Sequence, residues 1–195
     1  MGQEDGPWFI WVCTNLGMVR YGCSAVASRC AERGMFVALV VDVPLIAEED
    51  KLVLRNLLNL YLYDLSEFKG NDVNDHGFFE YRRLDQYWYE DSCRPFYITV
   101  NGRIAGFVLV HQFDLFKENR NVISEFFVLR KYRQSGVGRQ AAQRIFEMFP
   151  GRWEVSELPE NIPSQMFWRK IINEFTHGHF EETVVEGRPV QRFEL

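Results

Sequence analysis

The chain has 195 residues, enough for one domain of ordinary size with a short additional segment. Apolar residues make up 47% and charged residues 25%, which excludes a disordered chain and allows a core without disulfides or metals. The net charge of −5 argues against general nucleic-acid binding, and no run reaches the roughly 20 apolar residues that span a bilayer.

Residues 1–34 differ from the rest. They hold Cys13, Cys23 and Cys30 and show little periodicity. The spacing contains no CxxC pair and no neighbouring His, so no metal site is expected, and the fourth cysteine, Cys93, lies far away. The opening MGQEDG is acidic where a secretory leader is basic, so a cytoplasmic protein with reduced thiols is expected. Residues 1–34 read as an extension, disordered or arising from a misplaced start, with an ordinary N-terminal helix packed on the domain as the alternative, and the domain as 35–195.

Phe36 to Val43 is a β-branched run that predicts a buried strand. Glu48, Glu49 and Asp50 then precede Leu54, Leu57, Leu58, Tyr61, Leu62 and Leu65, recurring every three or four residues. That pattern predicts an amphipathic helix whose positive end meets the acids. Lys69 to Gly77 reads as a loop, and Leu84 to Tyr89 as a short helical segment. Tyr81, Tyr87, Trp88 and Tyr89 belong to the core or line an acceptor pocket. Phe96 to Val100 and Arg103 to Gln112 flank Asn101-Gly102, a hairpin signature. After the polar loop from Asp114, Asn121 to Leu129 is a further strand. A helix over Arg139 to Phe149 stops at Pro150-Gly151. Trp153 to Val155 is a brief strand. Asn161 and Pro163 open a last helix, and two strands about Glu186-Gly187 close the chain. The order implies an α/β (α+β) domain.

The chemistry concentrates between the strand ending at Leu129 and the helix that follows. From Phe126 to Phe146 there is no acid, while Arg130, Lys131, Arg133, Arg139 and Arg144 supply five cations. Gly136 and Gly138 leave backbone N–H groups uncovered at a helix N-terminus, where a pyrophosphate is favoured. The plain alternative is a strand-to-helix turn with solvated arginines. There is no GxGxxG fingerprint and no Gly-Lys-Ser/Thr.

Arg133-Gln134-Ser135-Gly136-Val137-Gly138 resembles the Arg/Gln-x-x-Gly-x-Gly/Ala loop of the GNAT superfamily of acetyl-CoA-dependent N-acyltransferases. SEFFVLRKY is similar to that superfamily's fourth strand, and Asn161 with Phe167-Trp168 to its fourth helix. The resemblance covers about 160 residues, from Phe36 to Leu195. It implies a GNAT-like fold, with a mixed, mostly antiparallel sheet of six to seven strands flanked by helices. It also implies acetyl-CoA as co-substrate, with a small-molecule or protein amine as acceptor. Phe127, Val128 and Leu129 would pair with the pantetheine arm between splayed fourth and fifth strands. Arg133 opens the motif, and N–H groups from Gln134, Ser135, Gly136, Val137, Gly138 and Arg139 would hold the pyrophosphate. Asn161 would touch the pantetheine arm, cap its helix, or both. Backbone near Val128 and Leu129 would stabilise the oxyanion.

Glu125 is the candidate base, with an ion-paired or solvent-facing role as its alternative. The family's tyrosine acid is replaced by Trp168, whose indole supplies no proton at neutral pH; Trp168 would pack along the pantetheine arm or in the core. Tyr132 is the reserve acid. The replacement also admits a second function, an acyl-CoA-binding sensor with little transfer. Cys93 reads as a small buried residue, and His177 and His179 as turn residues. Homodimers are common in the family.

Overall fold

A computed structural model describes residues 39–113 and 120–195. The expected extension with its three cysteines, the first residues of the Phe36 strand and loop residues 114–119 lie outside the described residues. Helix α1 (Lys51–Lys69) follows a 3-10 turn at Glu48–Asp50, and its six predicted apolar positions are all buried. It ends at Gly70, whose φ of 61° lets its N–H reach the Ser66 carbonyl. Helix α2 is the short Gln86–Tyr89.

Strands β2 (Cys93–Val100) and β3 (Arg103–Phe113) form the expected hairpin. Asn101 and Gly102 both have positive φ, 50° and 75°, as a two-residue turn matched to strand twist requires. Then come β4 (Arg120–Val128), α3 (Val137–Met148), β5 (Arg152–Ser156) and α4 (Ile162–Phe175). A second hairpin, β6 (Glu181–Val185) and β7 (Arg188–Glu194), turns at Glu186-Gly187. With β1 (Val41–Asp42) they make one seven-stranded sheet in the order β1-β2-β3-β4-β5-β7-β6. Among the described residues only β4 and β5 run parallel, because α3 crosses between them.

Apolar side chains cover both faces of the sheet. Phe126, Trp153 and Val155 pack with Phe146 of α3 and Trp168 of α4. Phe107, Leu109 and Phe127 pack with Leu54, Leu58 and Tyr61 of α1. A bulge in β4 decides which residue joins which layer. Leu109 pairs with Glu125 but Val110 pairs with Ile123, so Ser124 is the extra residue. Ile123 and Phe126 consequently both enter the α3/α4 layer, three residues apart. Strict alternation from Ile123 would send Glu125 there too; the bulge turns it, with Phe127, toward α1.

Candidate active site

The two parallel strands do not stay together. β4 pairs with β5 only from Arg120↔Arg152 to Val122↔Glu154, although β4 continues to Val128 and β5 to Ser156. The gap opens where β4 still pairs with β3. Leu129 N–H donates to Ala105 O at 2.8 Å, which with the register Phe107↔Phe127 makes the odd-numbered residues the ones bonded to β3. The backbone groups of Phe126 and Val128 therefore face the gap. This corrects two expectations: Leu129 N–H is engaged with β3 and is no oxyanion donor, and the backbone of Phe127 faces β3. Val128 N–H remains as the gap-facing donor.

The glycine loop sits at the mouth of this gap. Gly136 caps α3 with φ 81°, and Gln134 is also left-handed, with φ 61°. The N–H groups of Val137, Gly138 and Arg139 have no partner one turn earlier in their helix. A Cβ on Gly138 would stand 3.3 Å from the Phe167 ring and 3.6 Å from Val128 Cγ2. Loop, α4 and β4 thus meet at this glycine, and Phe167, expected on α4 from its helical spacing, forms a wall there.

The five cations are not a free field. Arg133 donates from Nε to Val128 O at 2.7 Å and from Nη2 to Asp64 of α1. Its guanidinium also lies over the Phe127 ring, 5.6 Å from the centroid. Arg130 meets the other Asp64 oxygen at 2.7 Å, Arg139 meets Glu174 at 2.8 Å and Arg144 meets Asp42 at 3.3 Å. Arg133 is therefore a strut tying the loop to β4 and α1, and its side chain is committed within the protein. Lys131, over the Tyr132 ring, and the half-exposed Arg139 present charge to solvent at the loop. Ser135 donates its hydroxyl to Tyr132 O, and Val137 is fully buried, so both side chains are committed within the protein.

Glu125 occupies the opposite side of β4. Tyr61 of α1 donates to Oε2, and Tyr81 donates to Oε1 at 3.2 Å. Burial pushes its carboxyl up to about 8; the Tyr61 bond, the Lys69 ammonium and the Tyr81 bond pull it back only partly. A carboxylate so raised is a strong base once ionised. From sequence Tyr61 read as an apolar helix position and Tyr81 as core or acceptor-pocket lining; their bonds to Glu125 were not foreseen, since each lies far from it along the chain.

The other expected residues divide. Asn161 is fully buried and caps α4, its Oδ1 accepting from Ser164 N at 3.1 Å. Trp168 is fully buried among Phe126, Phe146 and Phe167, so of its two expected places it takes the core. Tyr132 is half-buried on the loop. Tyr87 is core and Tyr89 is exposed. Cys93 is buried, its thiol pushed up to about 11 by that burial, which makes it a poor nucleophile. His177 lies in a turn with φ 52°, and His179 bonds the Thr176 carbonyl. Among the described residues no group of three His, Cys, Asp or Glu side chains could hold a metal, and no helix is long and apolar enough to cross a membrane.

A second buried carboxyl makes stability depend on pH. Glu157, fully buried after β5, is pushed up to about 8 by burial, against the Gln191 amide at 3.3 Å. Unfolded glutamate ionises near 4.5. Between the two values the folded chain keeps a proton that the unfolded chain has released, so raising pH favours unfolding. The contribution is complete below 4.5 and gone above about 8. His111, pushed down by burial, works the other way only below 6.5. From pH 6.5 to 8 stability is expected to fall, by at most about 1.4 kcal/mol per pH unit for each glutamate, and the melting temperature with it. Glu157→Gln should flatten the slope in a thermal-melt series; an equal slope in the variant would remove Glu157 from the account.

Comparison with known proteins places this geometry. The model of the acetyltransferase (GNAT) family matches residues 57–172, which include the parting strand, the loop and most of α4. No curated protein sequence matches the chain. Among solved structures, an acetyltransferase from Thermus thermophilus superposes with a TM-score of 0.61 at 16% identity, covering 80% of this chain and 98% of that one. A GNAT-family acetyltransferase from Listeria monocytogenes gives 0.58 at 16% identity, over 80% and 95%. The aminoglycoside acetyltransferase AAC(6')-Ib in complex with coenzyme A gives 0.55 at 16% identity, over 80% and 95%. These likenesses show the fold, and the family model spans more than half of the sequence. The chain belongs to the GNAT family of acetyltransferases.

Proposed function

We propose that this protein transfers an acetyl group from acetyl-CoA to an amine by direct attack on the thioester. The observation that carries this is the parting of β4 from β5 after Val122↔Glu154, beside a glycine-capped helix N-terminus. The gap-facing backbone of Phe126 suits an extended amide-bearing arm, and the Val128 N–H faces the same gap beside it. N–H groups from Gln134 to Arg139 suit a pyrophosphate, with Lys131 and Arg139 nearby. A solved structure of the same fold holds coenzyme A.

In this mechanism Val128 N–H donates to the tetrahedral oxyanion. Glu125 is the general base for the amine. The thiolate is a good leaving group and takes its proton from solvent, with Tyr132 as the alternative donor. Arg133 and Asp64 keep the loop in register with β4. A CoA-binding module with little transfer is the second function, favoured by the burial of Trp168 where the family carries its acid.

Acetyl-CoA at 100 times its dissociation constant should add about 2.7 kcal/mol, a rise in melting temperature of roughly 5–10 °C. Gly136→Val should abolish the rise, because a β-branched residue resists φ 81°. No rise at millimolar acetyl-CoA overturns the proposal. A rise without CoA release across small amines and peptide N-termini selects the binding module.

A further inference from the structure

We infer that Tyr81 is the proton relay of this site, standing between Glu125 and an acceptor that enters from the hollow between α1 and residues 74–84. The inference rests on the acyl-transfer reading and assigns the path its proton takes. Glu125 is buried and each of its oxygens is met by a phenol. The two phenols are not equivalent. Tyr61 is fully buried among Phe107 and Phe127. Tyr81 touches Glu125 Oε1 and also lines a cavity of about 460 Å³, with Arg55, Asn59, Phe78 and Phe79. Neither Glu125 nor Tyr61 lines that cavity.

The cavity wall is built rather than incidental. Asn59 of α1 accepts from Phe79 N at 2.9 Å, and Asn74 accepts from His76 N and Phe78 N. The first bond holds the segment that carries Tyr81 against α1, and the other two fix the turn within that segment. Its phenyl surfaces suit an amine with an apolar body.

The proton balance is simple. As the amine nitrogen bonds to the thioester carbonyl carbon, its N–H breaks and the Tyr81 oxygen gains that proton. The original Tyr81 O–H breaks in the same event, and its proton goes to Glu125 Oε1. The C–S bond then breaks, and the thiolate takes a proton from solvent. Glu125 returns its proton to solvent after product leaves. Tyr81 ends as it began, a neutral phenol.

The test compares Tyr81→Phe, Tyr61→Phe and Glu125→Gln in the full chain, following CoA release from acetyl-CoA. The probe is whichever of 2-phenylethylamine, a diamine and a peptide N-terminus the unaltered protein turns over fastest. Tyr81→Phe should lower kcat about 100-fold with KM for acetyl-CoA unchanged, and Tyr61→Phe should lower it at least tenfold less. In mixed H2O and D2O the unaltered protein should give the bowed dependence of two protons in flight, and Tyr81→Phe a straight one. If Glu125→Gln is inactive while Tyr81→Phe keeps kcat within threefold, the relay is overturned and the base stands. If Glu125→Gln keeps its activity, Glu125 is not the base and the relay has no terminus. No CoA release by the unaltered protein with any probe overturns the transferase reading and the relay with it.

Discussion

Glu125→Gln is expected to lower turnover roughly 100- to 10,000-fold while acetyl-CoA binding is retained. The substitution keeps the size of the side chain and removes its basicity. The carboxyl is aimed at α1 and away from the gap, so the loop and the outward backbone of β4 are undisturbed. The same carboxyl sets the pH profile. A base must be ionised, and burial holds Glu125 near 8. In the unaltered protein kcat/KM should therefore rise with pH through about 8 and level off above it. The residual rate of Glu125→Gln should lack that limb. Steady-state CoA release between pH 6 and 10, with melting curves to show intact folding, checks both parts. Equal rates for the two proteins would remove Glu125 from catalysis.

Gly106→Ala should produce the largest loss of stability of any single methyl addition at these glycines. Its Cβ would fall 1.9 Å from Phe127 O, 2.9 Å from Phe127 C and 3.0 Å from Val128 Cα. All three atoms are backbone of β4, so no rotamer change relieves the clash and the strand must move. About 3 kcal/mol is the expected cost, the upper end for overpacking, or roughly 6–12 °C in melting temperature. The displaced segment carries Val128, whose carbonyl holds Arg133 and whose N–H faces the gap. The variant should also lose much of the stabilisation by acetyl-CoA. An unchanged melting temperature would show that β3 and β4 do not approach this closely. Gly136 makes the contrast: its nearest neighbour lies 3.9 Å from an added Cβ, so only its backbone angle resists substitution.

Local chemistry was readable without any structure. The two hairpin turns follow from Asn101-Gly102 and Glu186-Gly187, because Gly and Asn accept positive φ; Glu186 takes it, at 51°, ahead of Gly187. Helix α1 follows from its apolar period, and the start of α4 from Asn161 and Pro163. Six of the seven strands and the glycine-capped loop followed from the same short-range signals; of the buried strand expected over Phe36 to Val43, the described part is strand only at Val41–Asp42, where it pairs with β2, and Leu39 and Val40 are exposed. Boundaries shifted by two or three residues where tertiary partners extended an element. β2 starts at Cys93 because β3 is long enough to pair with it through His111.

What the sequence determined by itself was the order of elements, the glycine loop at a helix N-terminus and the presence of Glu125 on a strand. Its cation run promised a positive field, and only the fold revealed the acids that answer it, since Asp64 is 69 residues from Arg133 and Asp42 is 102 from Arg144. The direction of Glu125 was equally hidden, because the bulge at Ser124 is a mismatch between two strands and belongs to neither alone. The same holds for the gap-facing donors of β4, which depend on which side β3 occupies. Tyr61 and Tyr81 reach Glu125 from 64 and 44 residues away. Periodicity and turn propensity act over a few residues. The bonds that shape this site close loops of dozens, and only the packed sheet brings their ends together.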